Sequence, residues 1–195
     1  MDRLEIIEEA IDTVRKIDGV SKKQAERIVD WFLKTDSKDS AKVITMLKKM
    51  ITDISHCEIC GYFTQQTLCQ ICLDPDRENQ LMIIENHNNL EKFENNRFFK
   101  GKYFIFPYSL DQEFVSNEEI EQKINKLVEY AKDFDEVILA ISPTLAGEIT
   151  MEILKRVFIK NEINCSQLAI GLPIGSSVDY MDHITLKQAL KNRTN

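Results

Sequence analysis

Apolar residues recur at helical spacing through the first fifty positions. Ile6, Ile7, Ala10, Ile11 and Val14 mark one face over residues 4–16. Ala25, Ile28, Val29, Phe32 and Leu33 mark the inward face of a second helix over 22–34. Val43, Ile44, Leu47, Met50 and Ile51 mark a third over about 39–53. Between the first two lies Ile17-Asp18-Gly19-Val20-Ser21-Lys22, a short turn with a glycine, an apolar plug and a helix start at Ser21. After a linker at 74–80 the period changes. Leu81-Met82-Ile83-Ile84, Tyr103-Phe104-Ile105-Phe106, residues 137–141 and Leu168-Ala169-Ile170 read as short apolar strands. Helical stretches separate them: about 88–95, from the capping box Ser116-Asn117-Glu118-Glu119 to about 132, and from the loop 142–148 to about 160. Strands alternating with helices predict a mainly parallel sheet with helices on both faces.

Composition narrows the class. At 195 residues the chain can bury one sizeable core or two to three small ones. Six glycines and four prolines argue against long disordered tracts. The longest apolar runs are far too short to cross a bilayer. The start, MDRLEIIEEA, is acidic and amphipathic and lacks the basic, then apolar, pattern of a secretory signal. The expectation is a cytoplasmic protein with no membrane partner. The net charge of −7 is uneven: residues 1–55 hold 11 basic and 11 acidic side chains, so the whole excess lies beyond them. A phosphate-binding surface fits the N-terminal part better than the acidic remainder.

Four of the five cysteines form a C-x2-C, eight-residue, C-x2-C pattern at Cys57, Cys60, Cys69 and Cys72. Two such knuckles bring four soft ligands to one tetrahedron, the preference of Zn²⁺. Disulfides do not suit a reducing cytosol, and a redox C-x2-C needs one pair at a helix start, not two side by side. With four cysteines the coordination is closed, so the zinc is structural. Gly61 suits the tight turn after the first knuckle. His56 reads as a bystander, and Cys165, in an apolar stretch, as a buried free thiol. His87 and His183 stand at no metal-pair spacing.

The turn at 17–22 resembles the helix–hairpin–helix motif, which offers backbone amides at a helix start to a phosphate. Lys22, Lys23 and Arg27 stand on the first turns of that helix. The usual hairpin has a second glycine where this chain has Ser21, which can cap the helix instead. In parallel α/β sheets active groups gather at the carboxyl ends of strands. Those ends carry Glu85 and Ser142-Pro143-Thr144-Leu145-Ala146-Gly147-Glu148. The layout resembles the Toprim domain of topoisomerases and primases, where a glutamate and an Asp-x-Asp pair hold Mg²⁺. Here both aspartate positions are hydroxyls, so tight Mg²⁺ binding is not expected.

The order of these parts, closed by a G-x-P-x-G tail with Asp182 and Thr185-Leu186, resembles the RecR family of bacterial recombination mediators. Residues 17–27, 56–72, 136–150 and 171–190 carry the resemblance, which spans nearly the full chain. It implies a helix–hairpin–helix domain at 1–55, a zinc module at 56–77, a Toprim domain at 78–172 and a C-terminal segment at 173–195. It implies DNA binding without catalysis, through Lys23 and Arg27 with Lys22 beside them. It implies a ring-like homo-oligomer, a tetramer with exchanged N-terminal regions. Such rings work with RecO, and often RecF, to load RecA onto single-stranded gaps, and Glu85 and Glu148 would lie near the RecO-facing surface. Asn89, Ala146, Ser176 and Ser177 depart from the family pattern. Two other readings follow from the same residues: a Toprim-type Mg²⁺-dependent nuclease or phosphotransferase using Glu85 and Glu148, and a zinc adaptor that contacts only protein.

Overall fold

The computed structural model describes residues 4–107, 110 and 118–193. The chain divides into two compact units, Met1–Ile54 and Ser55–Asn195.

The first unit is three helices: α1 (Glu5–Val14), α2 (Lys22–Lys34) and α3 (Ser37–Asp53). Gly19 takes a positive φ of 80°, which lets the chain reverse between α1 and α2. Ser21 then starts α2 with a full capping box. Its hydroxyl accepts from the Gln24 amide, and its own amide donates to the Gln24 side chain at 2.8 Å. Ile11, Ala25 and Val29 form a small core, with Ile7, Ala10, Val14 and Val20 packed around it. Not every apolar residue of the expected faces joins that core. Ile6, Ile28 and Leu33 are exposed, and α3 buries no residue at all. Asp36 caps α3 properly, so the helix is well begun but uncovered.

The second unit opens with the hairpin β1 (Ser55–His56) and β2 (Phe63–Thr64), then the short helix α4 (Gln70–Leu73). Next come β3 (Gln80–Ile84), α5 (His87–Asn96), β4 (Lys102–Ile105), α6 (Glu118–Ala131), β5 (Glu136–Ala140), α7 (Leu145–Lys160) and β6 (Cys165–Gln167). A 3-10 turn at Val178–Tyr180 and α8 (His183–Lys191) follow. The sheet is parallel throughout, in the order β4-β3-β5-β6, with Ile83 opposite both Phe104 and Leu139. Strands of such a sheet are buried on both sides and so read as continuous apolar runs. Leu81, Ile83, Phe104, Val137 and Leu139 point to one face, where α6 and α7 supply Ile124, Leu127, Leu154 and Phe158. Met82, Ile84, Tyr103, Ile105 and Ala140 point to the other, met by Leu90 of α5 and by Tyr62 and Ile71 of the cysteine-rich segment.

Two expectations need correction. The fourth strand lies at Cys165–Gln167, not 168–170. The Leu168 amide makes a last bond to the Leu139 carbonyl, after which the apolar residues 168–170 line a cavity of about 490 Å³ instead of a ladder. Cys165 is therefore a half-buried residue of an edge strand rather than a buried thiol. The Ser116-Asn117 half of the expected capping box lies outside the described residues.

Candidate metal centre and flanking sites

The two knuckles fold for local reasons. The Cys57 amide donates to the Tyr62 carbonyl at 2.7 Å, closing β1 onto β2. Gly61 turns the chain with a φ of 80°, and its amide returns to the Cys57 carbonyl at 2.9 Å. That geometry brings the Tyr62 amide to 3.4 Å from the Cys60 sulfur. The second pair rides on α4, with Cys69 at its N-cap and Cys72 one turn later. All four cysteines are buried, and their sulfurs lie within 4.8 Å of one another. Cys57 and Cys72 are 3.8 Å apart, and Cys60 and Cys69 3.5 Å.

These separations decide between the chemistries. A disulfide needs about 2.05 Å. A tetrahedron of zinc–sulfur bonds of about 2.3 Å has edges of about 3.8 Å. Sulfurs this close share protons when left to themselves. Hydrogen bonding between them pushes the Cys69 thiol down and the Cys60 thiol up. A dication accepts all four as thiolates and removes the conflict. Among the described residues no other group of His, Cys, Asp or Glu converges in this way. His56 is not part of it. Its Nδ1 and the Nε2 of His87 both donate to the Gly61 carbonyl at 3.0 Å, and the Phe63 ring stacks on His87 at 3.9 Å.

The metal site is joined to the sheet. The Ile105 amide of β4 donates to the Cys60 carbonyl at 2.8 Å, and Lys102 Nζ to the Cys72 carbonyl at 3.1 Å. Strand β4 would otherwise be an open edge of the sheet. A second joint, not foreseen from the sequence, is Arg77. Its guanidinium forks onto Glu94 with two bonds of 2.7 Å and also reaches Asp74 at 3.3 Å and the Gly101 carbonyl at 3.1 Å. Gly101 is required there, since a Cβ would stand 2.3 Å from the Gln80 carbonyl oxygen.

The carboxyl ends of β3 and β5 come together. Glu85 accepts from the Ser142 amide at 3.0 Å and from the Ser142 hydroxyl. Glu85, after β3, is thus held by Ser142, in the loop after β5. Thr144 caps α7 by accepting from the Gly147 amide at 3.1 Å, and a Cβ on Gly147 would lie 2.0 Å from the Ser142 carbonyl oxygen. Glu85, Thr144 and Gly147 line a cavity of about 110 Å³, and Glu148 is not among its walls. Glu148 lies on the first turn of α7 and is exposed. The tail residue Asp182 caps α8, accepting from the amides of Ile184 and Thr185 at 2.9 Å and from the Thr185 hydroxyl at 2.6 Å.

In the first unit Lys22, Lys23 and Arg27 are all exposed on α2, whose first turn holds no acidic residue. Arg27 also borders an apolar hollow of about 530 Å³ with Ile28, Trp31, Phe32 and Val43.

Comparison with known proteins agrees with this anatomy. Residues 54–74 match the family model of the RecR zinc finger domain with four cysteines, 79–169 the Toprim domain and 171–194 the RecR C-terminal region. The chain is 34% identical over 187 residues to recombination protein RecR of Mycoplasmopsis pulmonis, covering 96% of this chain and 97% of that one. It is 32% identical to the RecR of Leifsonia xyli subsp. xyli, covering 96% of each. It is 30% identical to that of Legionella pneumophila (strain Philadelphia 1), covering 97% of this chain and 96% of that one. The four cysteines are a structural zinc site on a Toprim-like sheet, and the chain belongs to the RecR family of recombination proteins.

Proposed function

We propose that the chain is a non-catalytic DNA-binding mediator of recombinational repair in the cytoplasm. It assembles as a ring-like tetramer and acts with RecO, and RecF where present, to load RecA onto single-stranded gaps. The observation that carries this reading is α3. Val43, Ile44, Met46, Leu47, Met50 and Ile51 are all between 38% and 74% exposed on one helix. A contiguous apolar face of that kind marks an interaction surface, and exchange with a second copy covers it. DNA approaches α2, where Lys22, Lys23 and Arg27 surround the helix-start amides. Glu85, held by Ser142, shapes the Toprim loop, and exposed Glu148 meets the partner protein.

The test is light scattering together with DNA binding over a salt series. The expected result is a tetramer whose affinity falls steeply with salt and collapses in Lys23→Glu with Arg27→Glu. Unchanged binding in the double variant sinks the assigned DNA surface. A strict monomer at all concentrations sinks the ring. Mg²⁺-dependent cleavage that disappears in Glu85→Ala overturns the non-catalytic reading.

A further inference from the structure

Helix α5 ends in an uncommon way. Arg97 takes a φ of 53°, the left-handed region that favours glycine at a helix end. Its amide donates to the Glu94 carbonyl at 3.0 Å, and the Phe98 amide to the Phe93 carbonyl at 3.2 Å. Those bonds cap the helix and fix where Phe98 stands. The Phe98 side chain is nonetheless 72% exposed, more than any other phenylalanine among the described residues. A strained cation next to a bare aromatic ring calls for a functional reason, since a glycine would make the same cap without strain.

The local charge is positive although the unit is acidic. Between residues 79 and 107 the acids are Glu85, Glu91 and Glu94. Each is held: Glu85 by Ser142, Glu91 by the Tyr62 hydroxyl at 3.2 Å, and Glu94 by Arg77. Of the four cations in that stretch, Lys102 is bound to the Cys72 carbonyl and Lys100 lies 3.9 Å from Glu78. Lys92 and Arg97 form no ion pair among the described residues. Lys92 and Phe98 both border the cavity of about 490 Å³ at the carboxyl end of β5. Phe93, Met151 and Ile170 wall it, Asn89 adds an amide, and Lys92 is its one charged residue. Open α/β sheets bind ligands outside such strand ends, in cavities of this size. An apolar ring that carries a negative charge fits this lining. The unpaired cations decide for a nucleic acid over an apolar protein surface, because single strands are held by a stacking ring with cations that follow the backbone.

We propose that Phe98, with Lys92 and Arg97, is a second DNA contact, specific for single strands. A base stacks on Phe98 at the mouth of the cavity, and the two cations meet the flanking phosphates. The site rests on the DNA-binding reading above and adds to it a contact in the second unit. Duplex bases are stacked and paired, so their faces do not reach the ring. A glycine at position 97 would relax the backbone and lose one of the cations.

The experiment uses full-length zinc-loaded protein with a fluorescent oligothymidine and a fluorescent duplex of the same length, read by anisotropy over a salt series. Phe98→Ala is expected to weaken oligothymidine binding about 5- to 100-fold and to leave duplex binding unchanged. Phe98→Trp should hold the single strand at least as well as wild type. Lys92→Gln should reduce the salt slope on the single strand by about 0.7. Arg97→Gly should do the same while raising the unfolding midpoint, a pairing that a purely structural cap would not give. Phe98 is exposed, so its variants probe the site and not the fold, and zinc content checks this. Unchanged single-strand binding in Phe98→Ala, or an equal loss on both DNAs, overturns the proposal. If Phe98→Ala keeps the single strand and loses a partner protein, the surface is a protein contact and the proposal falls. If only Lys23→Glu with Arg27→Glu abolishes binding, this site falls and the α2 reading stands. No binding of either DNA by wild type at low salt defeats both.

Discussion

Helix α3 and strand β3 both carry many large apolar side chains and meet opposite fates. Leu81, Met82, Ile83 and Ile84 are at most 3% exposed, whereas no residue of α3 is buried. Both elements are locally sound: α3 has its Asp36 cap, and β3 is paired on both sides. The difference lies in what each finds within its own unit. Strand β3 is central, so neighbours fill both its faces. Helix α3 belongs to a unit whose core is three residues and a few flanking ones. Amphipathic periodicity therefore tells where a helix has an apolar side. It does not tell whether the same chain supplies the cover.

The largest perturbation that separates the two units is removal of the metal. Cys57→Ser or Cys72→Ser should lose zinc and soluble protein together, because zinc binding energy stabilises a segment too short to bury a core of its own. Metal content and soluble yield measure it, and a soluble, assembled, metal-free variant would show the site to be dispensable.

The next contrast is direct. Phe104→Ala, in the sheet core, should cost about 3–5 kcal/mol in denaturant unfolding and leave the oligomer number unchanged at low denaturant. Leu47→Asp, on α3, should do the reverse, lowering the mass seen by light scattering while the metal-bound unit unfolds as before. Equal effects of both on assembly would erase the contrast between the two elements.

The smallest test concerns the Arg77 joint. Arg77 holds the Glu94 carboxyl below its ordinary value, so the pair is at full strength above the unfolded-state pKa of about 4.3 and is lost as pH falls through the lower folded value. Glu94→Gln should cost about 2 kcal/mol at neutral pH, in line with a charged hydrogen-bonded pair. It should also flatten the acid limb of the stability profile in the second unit. A wild-type acid limb in the variant would show that Glu94 contributes little.

Much of the fold could be read from residue order. The cysteine spacing announced the metal site because few chemistries use four thiolates at that interval. The strands at 81–84, 103–106 and 137–141 announced a parallel sheet because helical stretches alternate with them, as crossovers between parallel strands require. The fourth strand was misplaced because Leu168-Ala169-Ile170 is more apolar than Cys165-Ser166-Gln167, and at an edge hydrogen bonding outweighs hydropathy. Arg77 with Glu94 was invisible because the partners are distant in sequence and carry no spacing rule. The Glu85–Ser142 bond was hidden for a related reason: loss of an aspartate suggests loss of a metal, not a new donor for the glutamate that remains.

The bond from Ile105 to the Cys60 carbonyl also sets an order in time. A ribosome delivers the cysteines at 57–72 well before the strand at 102–105. A nascent chain that has already captured its metal thus has a folded partner waiting when this rim of the sheet emerges. Under zinc starvation the same rim emerges bare, with its amides and carbonyls open to any neighbouring strand. Metal supply during synthesis then joins the stability of the finished protein in setting how much of the product escapes aggregation.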